Sequence, residues 1–368
     1  MSSIKLKHSG GNGVIISAPD TNPASDKTIK LPSTESGVFA TKDSANSLQN
    51  VTGINGGQLS NRNLIINGAM QVAQRGTSFS AIAHNAYGID RFKFTNNTSA
   101  AYTLSQSSTS PDGFANSLKL DCTTADTSIG TSEYNRLVYV LEGQDLQSLA
   151  KGTSSAKKSF ISFYVKTNKT GTYSFFIYDD DNSRQFNSTY TVSDTNWNRY
   201  TIEIPADTTG AMANDNGGSL EVYWHLIAGS GRTSGSLDTT WNSYTTNKEA
   251  AGHNVNLGDS TSNEWYLTGV QLEVGSVATD FEHRSFTDEL LRCQRYYYKI
   301  RANATSYLPT TSSDGRSRLV RSFPVLMRAS PSGSMSNYTL STTKDGVTGY
   351  QSSSNVDVLY DGTFSAEL

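Results

Sequence analysis

The sequence has no excess of positive charge: 30 Lys and Arg stand against 33 Asp and Glu, for a net charge of −3. Without a basic surplus, neutralising a phosphate backbone is not available as a general binding mode, which argues against nucleic acid as a partner. No apolar run approaches the ~18 residues of a membrane-spanning helix, and Met1–His8 leads into Gly and Asn rather than into an apolar signal core. The expectation is a chain that neither inserts into a membrane nor leaves by the ordinary secretory signal. Cysteine is scarce. Cys122 and Cys293 are too few and too far apart for a disulfide framework or a thiolate metal site, and both read as small buried apolar residues. The histidines (8, 84, 225, 253 and 283) never recur at metal-ligand spacing, and His225, inside an apolar run, reads as a structural imidazole. There is no Gly-x-Ser-x-Gly elbow, and neither cysteine adjoins a basic cluster, so a nucleophile has no local support. Gly10–Gly13 is glycine-rich but no Lys-Ser/Thr follows, so it reads as a turn rather than a phosphate cradle. No cofactor is implied, and the chain is expected not to be an enzyme.

What is abundant is Ser, Thr and Asn, together roughly a third of the 368 residues. That bias favours turns and short strands. The 19 Tyr, 14 Phe and 4 Trp supply the aromatic anchors that a disordered chain lacks. Residues 1–45 carry only short apolar runs, Val14–Ile16 and Ile29–Leu31, between turn formers; such a segment closes no core of its own and must borrow burial from identical chains or a larger assembly. Residues 46–62 read as a linker. From 63 to 284 short apolar segments alternate with polar turns: Leu64–Ile66, Ile89–Phe94, Tyr102–Leu104, Ser117–Leu120, Arg136–Leu141, Phe160–Val165, Tyr173–Tyr178, Tyr200–Ile204, Leu220–Ile227 and Trp265–Val274. This pattern predicts one antiparallel β-sandwich rather than βαβ units. In the last segment Tyr266, Thr268, Val270, Leu272 and Val274 are expected on one face and Trp265, Leu267, Gln271 and Glu273 on the other. Ser285–Asp288 matches a capping box and starts a short helix with Phe286, Leu290, Cys293 and Tyr297 as its apolar stripe. The remainder of 285–368 returns to strand-like alternation at Arg318–Phe323, Tyr338–Leu340 and Val356–Tyr360, predicting a small C-terminal β domain.

Few residues are candidates for chemistry. Asp179, Asp180 and Asp181 read first as a tight turn after a strand, and their hard oxygens also make them a calcium candidate. Sugars stack on aromatic faces rimmed by Asn, Asp and Gln. Trp241 and Tyr244, in the polar stretch Leu237–Tyr244, and Trp197, between polar residues, are therefore the ligand-binding candidates; Trp224 and Trp265 fall within apolar strands and read as core.

Four stretches resemble a known family. Ser3–Asn12, with Ile29–Pro32 after it, is similar to the N-terminal segment of structural proteins of marine cyanobacterial phages. Asn63–Gly76 followed by Tyr87–Phe92 resembles the start of a domain of phage tail fibres, and Trp265–Gly275, Ala278–Glu282 and Glu289–Tyr297 resemble its close. Phe323–Pro331 is similar to the C-terminal module that follows. The resemblance implies a homotrimeric virion fibre, assembled in the host cytoplasm. Its N-terminus would attach to tail adaptor or hub proteins, its central jelly roll would resemble carbohydrate-binding modules, and its distal part would recognise a host-surface polysaccharide. The longer anchoring domain typical of short-tailed phage fibres is not matched, so a capsid-attached head fibre or decoration protein is the alternative. A polysaccharide depolymerase is the remaining one.

Overall fold

A computed structural model describes residues 60–300, 320–335, 338–350 and 362–368 in full and, outside them, the backbone of strands at 3–7, 13–17, 41–42, 48–49, 310–311, 317–319 and 351. The chain divides into two compact units, Met1–Thr52 and Gly53–Leu368. In the first, β1 (Ser3–Lys7) pairs antiparallel with β2 (Gly13–Ser17), and β3 (Thr41–Lys42) with β4 (Leu48–Gln49). The apolar run expected at Ile29–Leu31 lies outside the described residues.

The second unit is built on β5 (Ser78–Phe79), β6 (Ala86–Tyr87), β7 (Phe92–Asn96), β8 (Ala101–Ser107), β9 (Ser117–Thr124), β10 (Tyr134–Glu142), β11 (Ser159–Thr167), β12 (Gly171–Asp179), β13 (Arg184–Val192), β14 (Asn198–Ile204), β15 (Gly218–Ala228), β16 (Asn242–Ser243) and β17 (Glu264–Val274). They form a seven-stranded sheet, β16-β13-β12-β15-β10-β7-β6, and a six-stranded one, β14-β11-β17-β9-β8-β5. The last two long strands insert between earlier ones, β15 between β10 and β12 and β17 between β9 and β11. Nested antiparallel insertion of this kind is a jelly roll. Aromatic side chains fill the space between the sheets: the Phe163 ring lies 5.9 Å from Phe175 and 5.7 Å from Trp224, and Trp224 and Trp265 are both fully buried.

The structure departs from the sequence expectations at identifiable places. Leu64–Ile66 forms no strand; Leu64 N donates to Leu272 O at 2.8 Å as the segment runs beside β17. Strand β13 is absent from the expected set because most of its residues are polar. Its buried Gln185 and Asn187 are satisfied by Asp238 before β16 and by Lys248 O after it. In β17, Gly269 sits at φ +62°, a conformation open to glycine. Across it the pairing with β11 slips from Ser162–Gln271 to Tyr164–Thr268. This bulge exchanges the two faces, so that Trp265 and Leu267 before it and Val270 and Leu272 after it all join the core.

After the sandwich, Ser285 caps the helix α2 (Phe286–Gln294), accepting from Asp288 N at 3.1 Å; α1 (Ser230–Thr233) is a single turn after β15. The expected apolar stripe of α2 is not its buried face. Cys293 is buried, but Phe286 is 55% exposed and Tyr297 belongs to the next strand. Beyond α2, β18 (Tyr297–Ile300), β24 (Gly362–Ser365) and β21 (Ser332–Met335) form one small sheet, and β19 (Thr310–Thr311), β20 (Ser317–Ser322), β23 (Gly346–Gln351) and β22 (Thr339–Thr342) form another. A core of Phe323, Met327, Val347 and Phe364 serves both. The expected Val356–Tyr360 strand lies outside the described residues.

Buried charge joins these strands to the sandwich. Arg91, 1% exposed and at φ +74°, donates to Glu367 Oε2 at 2.6 Å and to Val140 O at 2.6 Å, and its guanidinium lies 3.5 Å from the centre of the Tyr296 ring. Arg75 reaches Glu367 Oε1 at 3.0 Å and stacks on Tyr297, while Arg295 forks onto the fully buried Glu142. A second network lies on the outer side of the seven-stranded sheet, where buried Glu249 receives Arg136 and Arg232 beside the buried His225 and His253. Burial holds the His225 imidazole well below its ordinary value and lowers His253 to about 4.

Two outcomes follow. Glu367→Ala leaves Arg91 buried without its counter-charge and should cost about 3–5 kcal/mol in urea unfolding; an unchanged midpoint would contradict the clasp. On acidification the unfolded chain protonates His253 from ~6.5 downward while the folded chain refuses the proton until about 4. His253 therefore removes stability as pH falls, about 2 kcal/mol by pH 5. Asp90, raised to about 6 by burial, acts in the opposite sense: the proton held in the folded state contributes most below ~4, and that contribution is lost as pH rises through 6. In urea titrations at pH 7.5 and pH 5, His253→Gln should lose less stability than wild type; equal losses would mean that the folded state also takes up this proton.

Candidate functional site

The segment leading into the sandwich is held by polar atoms. Asn67, at φ +61°, folds back so that its Oδ1 accepts from Val72 N at 2.9 Å and its Nδ2 donates to Val72 O and Asp90 O at 2.9 and 3.0 Å. Gly68 is pressed against β17: Val270 N donates to Gly68 O at 2.9 Å, and a Cβ at this position would stand 2.1 Å from Val270 O. From α2, Glu289 accepts from the Asn67 amide, and Arg284 links Glu289 Oε1 at 2.8 Å to Ile65 O at 3.1 Å. Gln74 fixes β18 beside the segment through Asp90 Oδ1 at 2.7 Å and Tyr297 O at 2.8 Å. Gln106, on β8, donates to Met70 O at 2.6 Å. Burial raises the Asp90 carboxyl, against the pull of Arg75 and the Gln74 hydrogen bonds.

Between these parts lies an open groove of about 530 Å³, within the size range of small-molecule sites. Gln71, Gln74 and Thr77 line it from the segment, Gln106 from β8 and Lys299 from β18. From α2 come Phe286, Leu290 and Gln294, which share one helix face by their spacing of i, i+4 and i+8. The side-chain amides of Gln71 and Gln294 and the Lys299 ammonium have no hydrogen-bond or ionic partner among the described residues. The groove thus offers amides that both donate and accept, one cation, and the exposed Phe286 ring. Such groups can donate to, accept from and stack on a ligand.

The sequence candidates fall elsewhere and apart from one another. Trp241 donates from Nε1 to Pro205 O at 2.9 Å, packs beside Phe186 and borders a cavity of about 20 Å³; this volume holds a water and no sugar ring. Tyr244 covers the outer side of the seven-stranded sheet, 5.0 Å from Tyr178, with its hydroxyl 3.2 Å from Glu249. It is committed to the buried ion network. Trp197 lies half-buried against Tyr266, outside the six-stranded sheet. The three aspartates do not converge. Asp179 is fully buried and takes Lys151 Nζ at 2.5 Å, Asp181 accepts from Ala213 N at 2.8 Å, and Asp180 is exposed. Among the described residues no group of three or more His, Cys, Asp or Glu side chains is placed to hold a metal ion. None of the groove residues was a sequence candidate. The signal available was Gln71 and Gln74 inside an apolar run, with Phe286 opening a helix whose inward positions are Glu289 and Cys293.

No family model matches the chain, and no curated protein matches it. Solved structures similar to it include the family 11 carbohydrate-binding module of the cellulosomal cellulase Lic26A-Cel5E of Clostridium thermocellum, at 13% identity and TM-score 0.28, covering 56% of this chain and 98% of that one. The CBM22-1 xylan-binding domain of Paenibacillus barcinonensis Xyn10C is similar at 13% identity and TM-score 0.28, with 61% and 100% covered. TmCBM61 in complex with β-1,4-galactotriose is similar at 8% identity and TM-score 0.28, with 58% and 99% covered. With TM-scores below 0.5, these likenesses carry no argument about function.

Proposed function

We propose that this chain is a non-catalytic, glycan-binding subunit of a phage virion fibre, a trimer attached to the tail through residues 1–45 and presenting the amide-lined groove to polysaccharide on the host surface. The observation that carries the binding reading is the groove itself, in which unpaired glutamine amides stand with an exposed aromatic ring in about 530 Å³. The fibre reading is supported by two stretches that resemble tail fibres, Asn63–Gly76 and Glu289–Tyr297. They meet through Glu289 and Asn67 and line the groove from both sides. Trimerisation would multiply an individually weak sugar contact into adhesion.

An array of surface polysaccharides from candidate host cells should retain the full-length chain. Phe286→Ala should weaken retention up to about tenfold, the scale of one lost ring contact. The retained polymer should keep its length on prolonged incubation, and the native mass should be that of three chains. Absence of retention on every polysaccharide would remove the binding reading. A shortened polymer would replace it with a depolymerase.

A further inference from the structure

Resting on the groove reading above, we infer that the ligand is an anionic saccharide, one whose sugar units carry a carboxylate or a sulfate ester, and that Lys299 is the residue selecting for it. Several half-buried or buried lysines of this unit stand against carboxylates, among them Lys119 with Glu264 at 2.6 Å, Lys151 with Asp179 at 2.5 Å and Lys248 with Asp238 at 2.8 Å. Lys169 likewise faces Asp259. Half-buried Lys93 and Lys166, by contrast, have no carboxylate side chain at ion-pair distance among the described residues. Lys299 is half-buried and, among the described residues, has no ion-pair partner either; what sets it apart is its place in the groove. It is also the one charged side chain among the described residues that line the groove. Asp90, behind the groove residue Gln74, is spent on Gln74 and Arg75.

The position of Lys299 follows from the fold. Strand β18 pairs with β24, placing Lys299 opposite Thr363, and the Gln74–Tyr297 bond holds this strand beside the leading segment. Among the described residues lining the groove, Lys299 therefore has no counter-charge, and it is flanked by the amides of Gln71 and Gln294. A neutral sugar uses the amides and the Phe286 ring and leaves the ammonium to water. An acidic sugar adds a charge-assisted hydrogen bond, about twice as strong as a neutral one. Carboxylate and sulfate ester share this chemistry, and the probes separate them.

The test titrates the full-length chain calorimetrically with three oligosaccharides of matched length: an oligogalacturonate, a sulfated oligogalactan and a neutral oligogalactan. At low salt an anionic probe should bind about tenfold more tightly than the neutral one. That preference should shrink in 0.5 M salt, vanish in Lys299→Met and persist in Lys299→Arg, with all variants checked for native circular dichroism. Whichever anionic probe binds more tightly identifies the anion. Equal affinity for neutral and anionic probes, or a preference that survives Lys299→Met, overturns the inference while leaving the groove a glycan site. Loss of binding to all three by the wild-type chain overturns the inference too, and the polysaccharide array then decides the broader reading. A Lys299→Met chain with a changed native mass would make the groove a contact between copies, which also overturns it.

Discussion

Arg91 carries a full charge where it is only 1% exposed, and the end of the chain docks onto the sandwich in satisfying it. Its guanidinium faces Tyr296, reaches the Val140 carbonyl and meets Glu367, so strand β10, the start of β18 and the last residues of the chain converge on one ion. Glu367 is held by Arg75 as well, and Arg328 ties the neighbouring carbonyls of Ala366 and Glu367 at 2.7 and 3.0 Å. A buried ion of this kind is costly unless every partner is present, which makes the docked arrangement all-or-none.

The groove is a by-product of that docking. Strand β18 is held by Gln74, and α2 meets the leading segment where Glu289 accepts from Asn67 and Cys293 packs with Ile66 and Val72, so the groove lies beside that contact. The side chains between them remain open to solvent on one face of α2. Inward positions of α2 are occupied by a carboxylate and a thiol, Leu290 packs partly against the cluster around Cys293, and Phe286 and Leu291 are left exposed. Because its lining comes largely from a helix, two strands and a hydrogen-bonded segment, the groove would bind a ligand without the entropy cost of ordering a loop.

Much of the fold was legible in the sequence, because period-2 alternation and aromatic content are local signals of a sandwich. The capping box at Ser285 likewise announced α2 at the correct residue. Strand β13 was not legible, since its buried Gln185 and Asn187 are explained only by a loop some fifty residues later. The exchange of faces in β17 depended on one glycine whose left-handed conformation no alternation pattern encodes. The proposed groove was less legible still. Trp241 and Tyr244 lie in a polar stretch that marks a loop, yet their neighbours in space use their polar atoms. Phe286 reads as core in any helical count, and only the burial of Glu289, satisfied by Asn67 and Arg284 more than two hundred residues apart in the chain, turns it outward.

The most direct measurement of the central claim is amide hydrogen exchange of the full-length chain with and without a polysaccharide that it retains. Binding in the groove predicts added protection confined to residues 71–77, the end of β8 near Gln106, α2 and β18. Protection centred instead on the loop around Tyr244 or on the surface around Trp197, with the groove unchanged, would contradict the account.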